Sequence, residues 1–197
     1  MAATARKDPL RALVSQQRSL VTPRQWADED AARTGSVLRL LGHEPGEGRV
    51  VALYAARRGE PGTTHLIEEL ARDGWRILLP LLKRTPDWAW YRAGDPLAPG
   101  WAGIPQPAGP GQGAEAIALA EIVVAPCLAV GLDGTRLGTG GGWFDRALVH
   151  RRAGVPVIAL LNDDEIRTVS QEPHDQPVDW LVTPTRTIRT SVARAAD

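Results

Sequence analysis

Glycines and charged side chains are concentrated between Gly131 and Arg146. Glycine lets backbone N–H groups approach an anion closely and adopt positive φ angles. The planar guanidinium of Arg136 suits phosphate oxygens. The carboxylate of Asp145 suits Mg²⁺, or simply the positive end of a helix that begins beside it. The combination predicts a phosphate-binding loop for a nucleotide, although a glycine cluster alone is also typical of a tight turn.

The standard phosphate-binding motifs do not fit this segment. A P-loop requires Lys followed by Ser or Thr after its last glycine, where this chain has Trp143 and Phe144. A dinucleotide fingerprint read from Gly138 and Gly140 would require glycine at position 143. The loop therefore matches neither of these two standard phosphate-binding motifs.

Short, continuously apolar runs alternate along the chain with helical patterns. This alternation predicts an α/β fold of three layers, with helices on both faces of a mostly parallel, Rossmann-like sheet, in a single domain over residues 1–197. The predicted strands are Val50–Tyr54, Trp75–Leu79 (stopped by Pro80), Trp88–Arg92, Ile122–Ala125, Val155–Leu161 and Val178–Val182. The predicted helices begin at Pro9 (with Asp8 as N-cap), Pro23 and Thr63 or Thr64, and span Ala114–Ala120, Trp143–Arg152 and Thr185–Ala195.

Ligands of such sheets bind outside the carboxyl ends of the strands. The segments to search therefore follow Tyr54, Leu79, Ala125 and Leu161. In chain order these segments contain Glu60, Lys83 and Arg84, the glycine-rich loop, and Asp163 and Asp164.

The glycine- and proline-rich stretch 93–113 predicts a structured loop or flap. Trp88, Trp90, Tyr91 and Trp101 lie around it, and they form either an aromatic wall for a ligand or ordinary core.

Composition excludes several classes of protein. The 197 residues carry 23 basic and 23 acidic side chains, and this balance argues against a general nucleic-acid or membrane-surface binder. No apolar run reaches the roughly 18 residues of a membrane helix. The single cysteine, Cys127, excludes an internal disulfide and is interpreted as a small buried filler. We expect a monomeric, cytoplasmic protein.

Residues Arg136 to Arg146 resemble a motif of the 5-formyltetrahydrofolate cyclo-ligase, or methenyltetrahydrofolate synthetase, family: R-L-G-x-G-G-G, two aromatic residues, D-R. Four weaker matches occur in the family's order, so that the resemblance spans nearly the whole chain. They are Lys7–Arg11 (K-x-x-L-R), Glu60–Thr63 (E-x-x-T), Gly103–Pro107 (G-I-x-E-P) and Pro173–Asp179 (P-x-x-H-D-x-x-V-D, with compressed spacing).

The resemblance implies an enzyme that converts 5-formyltetrahydrofolate to 5,10-methenyltetrahydrofolate with ATP and Mg²⁺, by phosphorylation of the formyl oxygen and attack by N10. It implies that Lys7 and Arg136 are catalytic. The ATP-binding residues that it implies are Lys7, Asp8, Pro9, Leu10, Arg11, Arg136, Leu137, Gly138, Thr139, Gly140, Gly141, Gly142, Trp143 and Phe144. The implied folate-binding residues are Arg11, Ala55, Glu60, Thr139, Gly140, Gly141, Gly142 and Trp143.

Asp145 and Asp175 are the Mg²⁺ ligands that the resemblance implies, with Asp179 as an alternative to Asp175. His174 is either a base or ligand, or a surface polar residue. Trp143 either stacks on the pteridine or packs at the helix start. Lys7 has the alternative interpretation of an exposed lysine near a helix start.

Thr139 stands where the family usually has Arg or Tyr, Phe144 where Tyr is common, and Gln106 where Glu is usual. These departures leave open a non-catalytic, folate- or nucleotide-binding homologue that acts as a regulator. A different reaction on a similar sheet, such as sugar-phosphate isomerisation or acyl-CoA transfer, is a further alternative.

Overall fold

The computed structural model describes residues 2–42, 46–92 and 94–192, and the helices and strands lie within these ranges. The α-helices are α1 (Ala2–Leu20), α2 (Pro23–Leu41), α3 (Thr64–Arg72) and α4 (Trp143–Leu148). Short 3-10 helices span Trp101–Gly103, Ala114–Leu119 and Asp163–Glu165. None of the described helices is both long enough and apolar enough to cross a membrane.

Within the described part of the chain, seven strands form one sheet, and two short hairpins accompany it. In chain order the strands are β1 (Val50–Ala52), β2 (Arg76–Leu81), β3 (Asp87–Tyr91), β4 (Leu97–Pro99), β5 (Pro105–Pro107), β6 (Ile122–Pro126), β7 (Ala129–Val130), β8 (Arg136–Leu137), β9 (Val157–Leu160), β10 (Trp180–Val182) and β11 (Thr187–Arg189). The order across the sheet is β11-β10-β9-β6-β1-β2-β3, and the pairs β4–β5 and β7–β8 form the hairpins.

The middle five strands are parallel, and the edge strands β3 and β11 are antiparallel. The chain moves one way across the sheet from β1 through α3 to β2, and the other way from β6 through α4 to β9. Because such crossovers are right-handed, α3 and α4 cover opposite faces of the sheet. The predicted three-layer α/β fold with a mostly parallel sheet is confirmed.

The core lies where these layers meet the sheet. Leu78, Val124 and Ala159 are fully buried on β2, β6 and β9, and Leu66 and Leu70 of α3 belong to the same hydrophobic cluster. Both faces of these strands are buried, which explains their uninterrupted apolar sequences.

The first helix differs from the prediction. It begins at Ala2 and passes through Pro9, so Asp8 is a helical residue paired with Arg11 and not an N-cap. Proline removes one backbone hydrogen bond from a helix interior. Side-chain contacts of Lys7 and Arg11, on either side of the proline, hold this part of α1 to the rest of the protein.

The second strand continues through Pro80 to Leu81, so the predicted stop at Pro80 is wrong. The carbonyl of Leu78 accepts a hydrogen bond from Leu53, just after the end of β1. Residues two apart in a strand direct their backbone groups to the same side, so Pro80, like Leu78, faces the side of β1. β1 pairs with β2 only as far as Leu78, so it has ended before the level of Pro80. The missing N–H therefore costs no ladder hydrogen bond, while β3 pairs with the other side.

Three other segments also differ from the sequence interpretation. The predicted terminal helix Thr185–Ala195 is wrong in its first half, where Thr187–Arg189 pairs as β11 with β10; residues 193–197 lie outside the described part. Helix α4 ends at Leu148 and not at Arg152. The flap contains the β4–β5 hairpin, with a 3-10 helix at its tip.

Thr63 provides a test of how the loop after β1 is held. Its buried hydroxyl donates to the Tyr54 carbonyl (2.7 Å) and accepts from the Ala56 amide (3.1 Å), and it does not cap α3. Thr63→Val leaves both backbone groups without this partner, so we expect the free energy of unfolding to fall by about 1–3 kcal/mol. Urea denaturation measures this change. Thr64→Val, at the next, exposed position, is the control and should change stability by no more than about 0.5 kcal/mol.

Candidate active site

A cavity of about 560 Å³ lies at the carboxyl ends of the parallel strands. Its walls include Tyr54 and Ala55, which follow β1, and Pro126 and Cys127 at the end of β6. β1 and β6 are neighbours from which the chain departs in opposite directions, so the cavity lies at the topological switch point of the sheet. The other described residues that line it are Arg57, Glu60, Pro80, Leu82, Lys83, Arg84, Trp101, Ile104, Arg136, Gly138, Thr139, Gly141, Gly142, Trp143, Phe144, Asp145 and Arg146.

The glycine loop forms one wall of this cavity with its backbone. It connects β8 to α4, and Gly140 (φ 107°) and Gly142 (φ 60°) adopt backbone conformations that favour glycine. A Cβ atom at Gly141 would meet no other atom within 4 Å, so the backbone there faces open space. Because α4 has only six residues, exposed amides of the loop are better placed than the helix dipole to hold an anion.

The side chains of Arg136 and Asp145 form an ion pair beside the loop. The Arg136 guanidinium donates from Nη2 to Asp145 Oδ1 (2.6 Å) and from Nη1 to the Pro126 carbonyl (3.1 Å). Its Nε is buried without a hydrogen-bond partner in the described structure. Asp145 Oδ1 also accepts the Gln176 amide, so both of these contacts fall on one carboxylate oxygen. An unused donor and a second carboxylate oxygen therefore lie next to the cavity.

Helix α1 contacts the same region from behind the loop. Arg11 donates to the Gly138 carbonyl (3.1 Å), and its guanidinium lies next to Gly140. Lys7 is buried and pairs with Asp175 (Nζ–Oδ2, 2.8 Å). Lys7 is therefore not an exposed helix-start lysine, although neither it nor Asp175 is among the residues that line the cavity.

Asp175 belongs to a small acidic cluster with Glu172 and His174, whose potential ligand atoms lie within 4.8 Å of one another. The His174 side chain is largely exposed, which favours the interpretation as a surface polar residue. Asp179 lies elsewhere: its carboxylate accepts from the Val157 amide at the amino end of β9. Of the two candidate aspartates, Asp175 therefore pairs with Lys7, whereas Asp179 is held at the amino end of β9.

Glu60 enters the cavity from the segment 57–63, here called the Glu60 loop. Its carboxylate accepts from the side chain and backbone amide of Arg57 (3.0 and 3.2 Å). Ala55, the other implied folate residue near this loop, also lines the cavity. The structure therefore brings together Ala55, Glu60, the glycine loop and Trp143, while Asp8, Pro9 and Leu10 do not line the cavity.

The aromatic residues divide into two groups. Trp143 lines the cavity and also packs edge-on against Trp88 (5.3 Å) and Phe144 (5.1 Å), so both interpretations of Trp143 remain compatible with its position. Trp101 lines the cavity and is 73% exposed. An aromatic wall that includes Trp88, Trp90 and Tyr91 is wrong: Trp88 is core, and the other two line a separate groove of about 900 Å³ near the amino end of β2.

Sequence reasoning missed the excess of positive charge around the cavity. Among the described lining residues, five are cationic and two are anionic, although the whole chain is neutral. Lys83 and Arg84 were predicted from their position after a strand, and Arg136 and Arg146 belong to the glycine-rich motif, but Arg57 was not singled out in the sequence. Such a surface favours substrates with several negative charges. The cationic residues are Arg57, Lys83, Arg84, Arg136 and Arg146.

Cys127 and Tyr54 line this cavity, but neither side chain is activated as a nucleophile. Burial raises the pKa of the Cys127 thiol to about 12, and Sγ donates to the Leu160 carbonyl. Burial also raises the pKa of Tyr54 well above its usual value, and its hydroxyl donates to the Pro61 carbonyl. Both side chains therefore stay protonated and structural near neutral pH.

Gln106 connects the flap to the cavity. Its side-chain oxygen accepts from the backbone amide of Leu82, directly after β2. A neutral amide makes this contact as well as a carboxylate does, so the replacement of the usual Glu leaves the flap connected.

A glycine loop and a cationic cavity at the switch point of a parallel sheet define an α/β ligand-binding enzyme. The fold is that of the 5,10-methenyltetrahydrofolate synthetase from Aquifex aeolicus, with a TM-score of 0.76 and 25% identity over 93% of this chain and 92% of the other. The synthetase from Mycoplasma pneumoniae shares the fold at a TM-score of 0.70 and 18% identity, over 90% of this chain and 98% of the other.

The 5-formyltetrahydrofolate cyclo-ligase family model matches residues 3–184. A 5-formyltetrahydrofolate cyclo-ligase from Mycolicibacterium smegmatis is 35% identical over 185 residues, which cover 88% of this chain and 95% of the relative. The chain therefore belongs to the 5-formyltetrahydrofolate cyclo-ligase family and is a ligase, as the motif from Arg136 to Arg146 indicated.

The pKa of Cys127 provides a chemical test of the cavity wall. Because the thiolate is the reactive form, we expect the native protein to react only slowly with iodoacetamide at pH 8, even though Cys127 borders a cavity. Mass spectrometry measures the alkylated fraction over time. The same protein unfolded in urea is the control and should react fully, and equal rates in the two states would contradict the assignment.

Proposed function

We propose that this enzyme closes 5-formyltetrahydrofolate to 5,10-methenyltetrahydrofolate and consumes ATP, with release of ADP and phosphate. The observation that carries the proposal is the cavity itself, whose described lining combines exposed glycine backbone, five cationic side chains and the Glu60 carboxylate. The glycine backbone and the cationic side chains suit a polyphosphate. The Glu60 carboxylate suits the N–H groups of a pterin ring.

The proposed chemistry requires activation of a poor leaving group. The formyl oxygen attacks the γ-phosphorus of ATP, and the bond between that phosphorus and ADP breaks. N10 then attacks the formyl carbon and loses its proton, the C–O bond breaks, and phosphate leaves with that proton as the ring closes. Phosphoryl transfer depends mainly on positioning and charge neutralisation. The proposed reaction therefore needs no activation of Cys127 or Tyr54 in the cavity wall.

In this proposal the phosphates lie along the loop from Arg136 to Phe144. The buried Arg136 has an unused Nε–H beside the cavity and is assigned to the charge that develops on the transferred phosphoryl group. Lys7 is the second catalytic cation, with the rest of the segment to Arg11 at the nucleotide. The folate lies against Ala55, Glu60 and the segment from Thr139 to Trp143, with Arg11 close to both substrates.

The residues present fit Mg²⁺. Asp145 uses Oδ1 for its hydrogen bonds with Arg136 and the Gln176 amide, and its Oδ2 takes part in neither. Asp175 precedes Gln176 in the chain. Both carboxylates are hard oxygen donors, which Mg²⁺ prefers together with water and phosphate. Asp175 also binds Lys7, so a cation at this carboxylate competes with the ammonium group. The ion would supply neutralisation of phosphate charge. The monomeric state and cytoplasmic location expected from the sequence stay predictions.

The function is tested by omitting each ligand in turn. We expect methenyl absorbance to rise and ADP to appear only when 5-formyltetrahydrofolate, ATP and Mg²⁺ are all present. Coupled spectrophotometry and ADP detection follow the two products in one sample. Folate binding without consumption of ATP would sink the proposal and favour the regulatory homologue, whereas product formation without ATP would favour another reaction.

The metal assignment is tested by comparing aspartates. Asp145→Asn keeps an acceptor for Arg136 but removes the charge, so we expect the Mg²⁺ concentration for half-maximal rate to rise by about tenfold or more. Asp175→Asn should act in the same direction. Asp179→Asn is the control, because its carboxylate lies at the amino end of β9; an unchanged Mg²⁺ requirement in the first two variants, measured by steady-state kinetics, argues against the assignment.

A further inference from the structure

Arg18, on α1, makes a buried ion pair behind the cavity. Its side chain is 3% exposed, and it donates from Nε and Nη2 to the two carboxylate oxygens of Glu165 (2.7 and 2.8 Å). The remaining donors reach the Cys127 carbonyl (2.8 Å) and the Gly59 carbonyl (3.3 Å). One side chain thus connects the end of β6, the loop after β9 and the Glu60 loop.

Glu165 is held in place by its own contacts. It is almost completely buried, and its two oxygens accept from the backbone and side-chain amides of Asn162 (2.8 and 3.3 Å). Burial by itself would lower the pKa of the Arg18 guanidinium, but the hydrogen bonds and charge of Glu165 outweigh it and raise that pKa. Arg18 is therefore charged, and it is oriented by a carboxylate that cannot easily move.

A second connected path reaches the other side of the Glu60 loop. Arg33, fully buried on α2, donates to Asn162 Oδ1 (2.8 Å) and to Asp30 (2.7 Å). Asp30 in turn accepts from the Gly62 amide (2.8 Å). A Cβ atom at Gly62 would lie 2.3 Å from the Asp30 carboxylate, so the loop approaches this group as closely as glycine allows.

The two paths contact Gly59 and Gly62, the residues on either side of Glu60 and Pro61. Replacement of a buried ion pair by apolar side chains of similar size is often neutral for stability. An apolar pair cannot donate to the carbonyls of Gly59 and Cys127, however. The particular contribution of Arg18 is therefore the position of the loop and of the cavity wall.

We propose that the Arg18–Glu165 pair positions the Glu60 carboxylate and thereby sets the affinity of the enzyme for its folate substrate; this inference rests on the proposed function. Arg18 and Glu165 are absent from the lining of the cavity, so they are positioning residues and not catalytic ones. Within the described residues, Arg18 and Glu165 hydrogen-bond to Gly59, Cys127 and Asn162 and not to the glycine loop, so we expect the effect to fall on the folate and not on the nucleotide.

The test removes both charges together in Arg18→Met/Glu165→Met. We expect the KM for 5-formyltetrahydrofolate to rise by about tenfold, because the Glu60 loop is no longer held in a fixed position relative to Cys127 in the cavity wall. The KM for ATP should change by less than about twofold. Titration of tryptophan fluorescence with 5-formyltetrahydrofolate alone gives a second readout that needs no turnover, and it should show the same loss of affinity.

A double-mutant cycle separates positioning from general damage. In a Glu60→Ala background the paired substitution should cause no further rise in the folate KM, because the carboxylate that the pair positions is gone. Arg18→Lys keeps the charge but lacks the guanidinium fork, so its KM should lie between those of the wild type and the double variant. If the double variant does not fold, Arg18→Lys alone tests the proposal through its folate KM.

The matched control is Arg49→Met/Glu121→Met, an ion pair (3.0 Å) at the amino ends of β1 and β6, which should leave both KM values unchanged. Thermal unfolding is recorded for every variant. Equal losses for ATP and folate, no loss of folate affinity, or full additivity with Glu60→Ala would overturn the inference. A wild-type protein without turnover would instead refute the proposed function, and the fluorescence titration would still decide whether the pair governs folate binding.

Discussion

The crevice between the carboxyl ends of β1 and β6 is the constraint from which the site follows. These neighbouring parallel strands are hydrogen-bonded, yet their connections lead to opposite faces of the sheet. No crossover can cover the gap that this leaves. The Glu60 loop enters it from one strand, and the hairpin β7–β8 with the glycine loop enters it from the other. Two segments that lie far apart in the sequence thus become the two walls of one cavity.

Buried arginines stabilise these walls. Arg18, Arg33 and Arg136 are each almost completely buried, and each donates to at least one carboxylate or side-chain amide and one backbone carbonyl. A guanidinium suits this role because its planar donors serve several acceptors in fixed directions, whereas an ammonium is a point charge. Removal of a single partner would leave a charge buried without compensation. The loops are therefore held more firmly than their glycine content alone would indicate.

The sequence was sufficient for the sheet and for one wall of the site, but not for the other elements. Continuous apolar runs predicted the parallel strands, and the motif from Arg136 to Arg146 predicted the family. Pro80 and β11 were misread because both depend on strand pairing: a proline is tolerated where the neighbouring strand has ended, and β11 exists because β10 offers an edge. Arg57 and the contacts of Arg18 depend on tertiary proximity, which no local pattern encodes.

One signal for Arg18 was nevertheless present in α1. Lys7, Arg11 and Arg18 stand at i, i+4 and i+11, so they lie within about 40° of one another around the helix axis. Val14, at i+7, shares this face and is fully buried. A cation on a face that also carries a buried valine must find an acceptor inside the protein, because an unpaired buried charge is too costly. The acceptors along this face are Asp175 for Lys7, the Gly138 carbonyl for Arg11 and Glu165 for Arg18. Charged groups therefore join α1 to both walls of the cavity. An ordinary amphipathic helix would present apolar side chains at these positions.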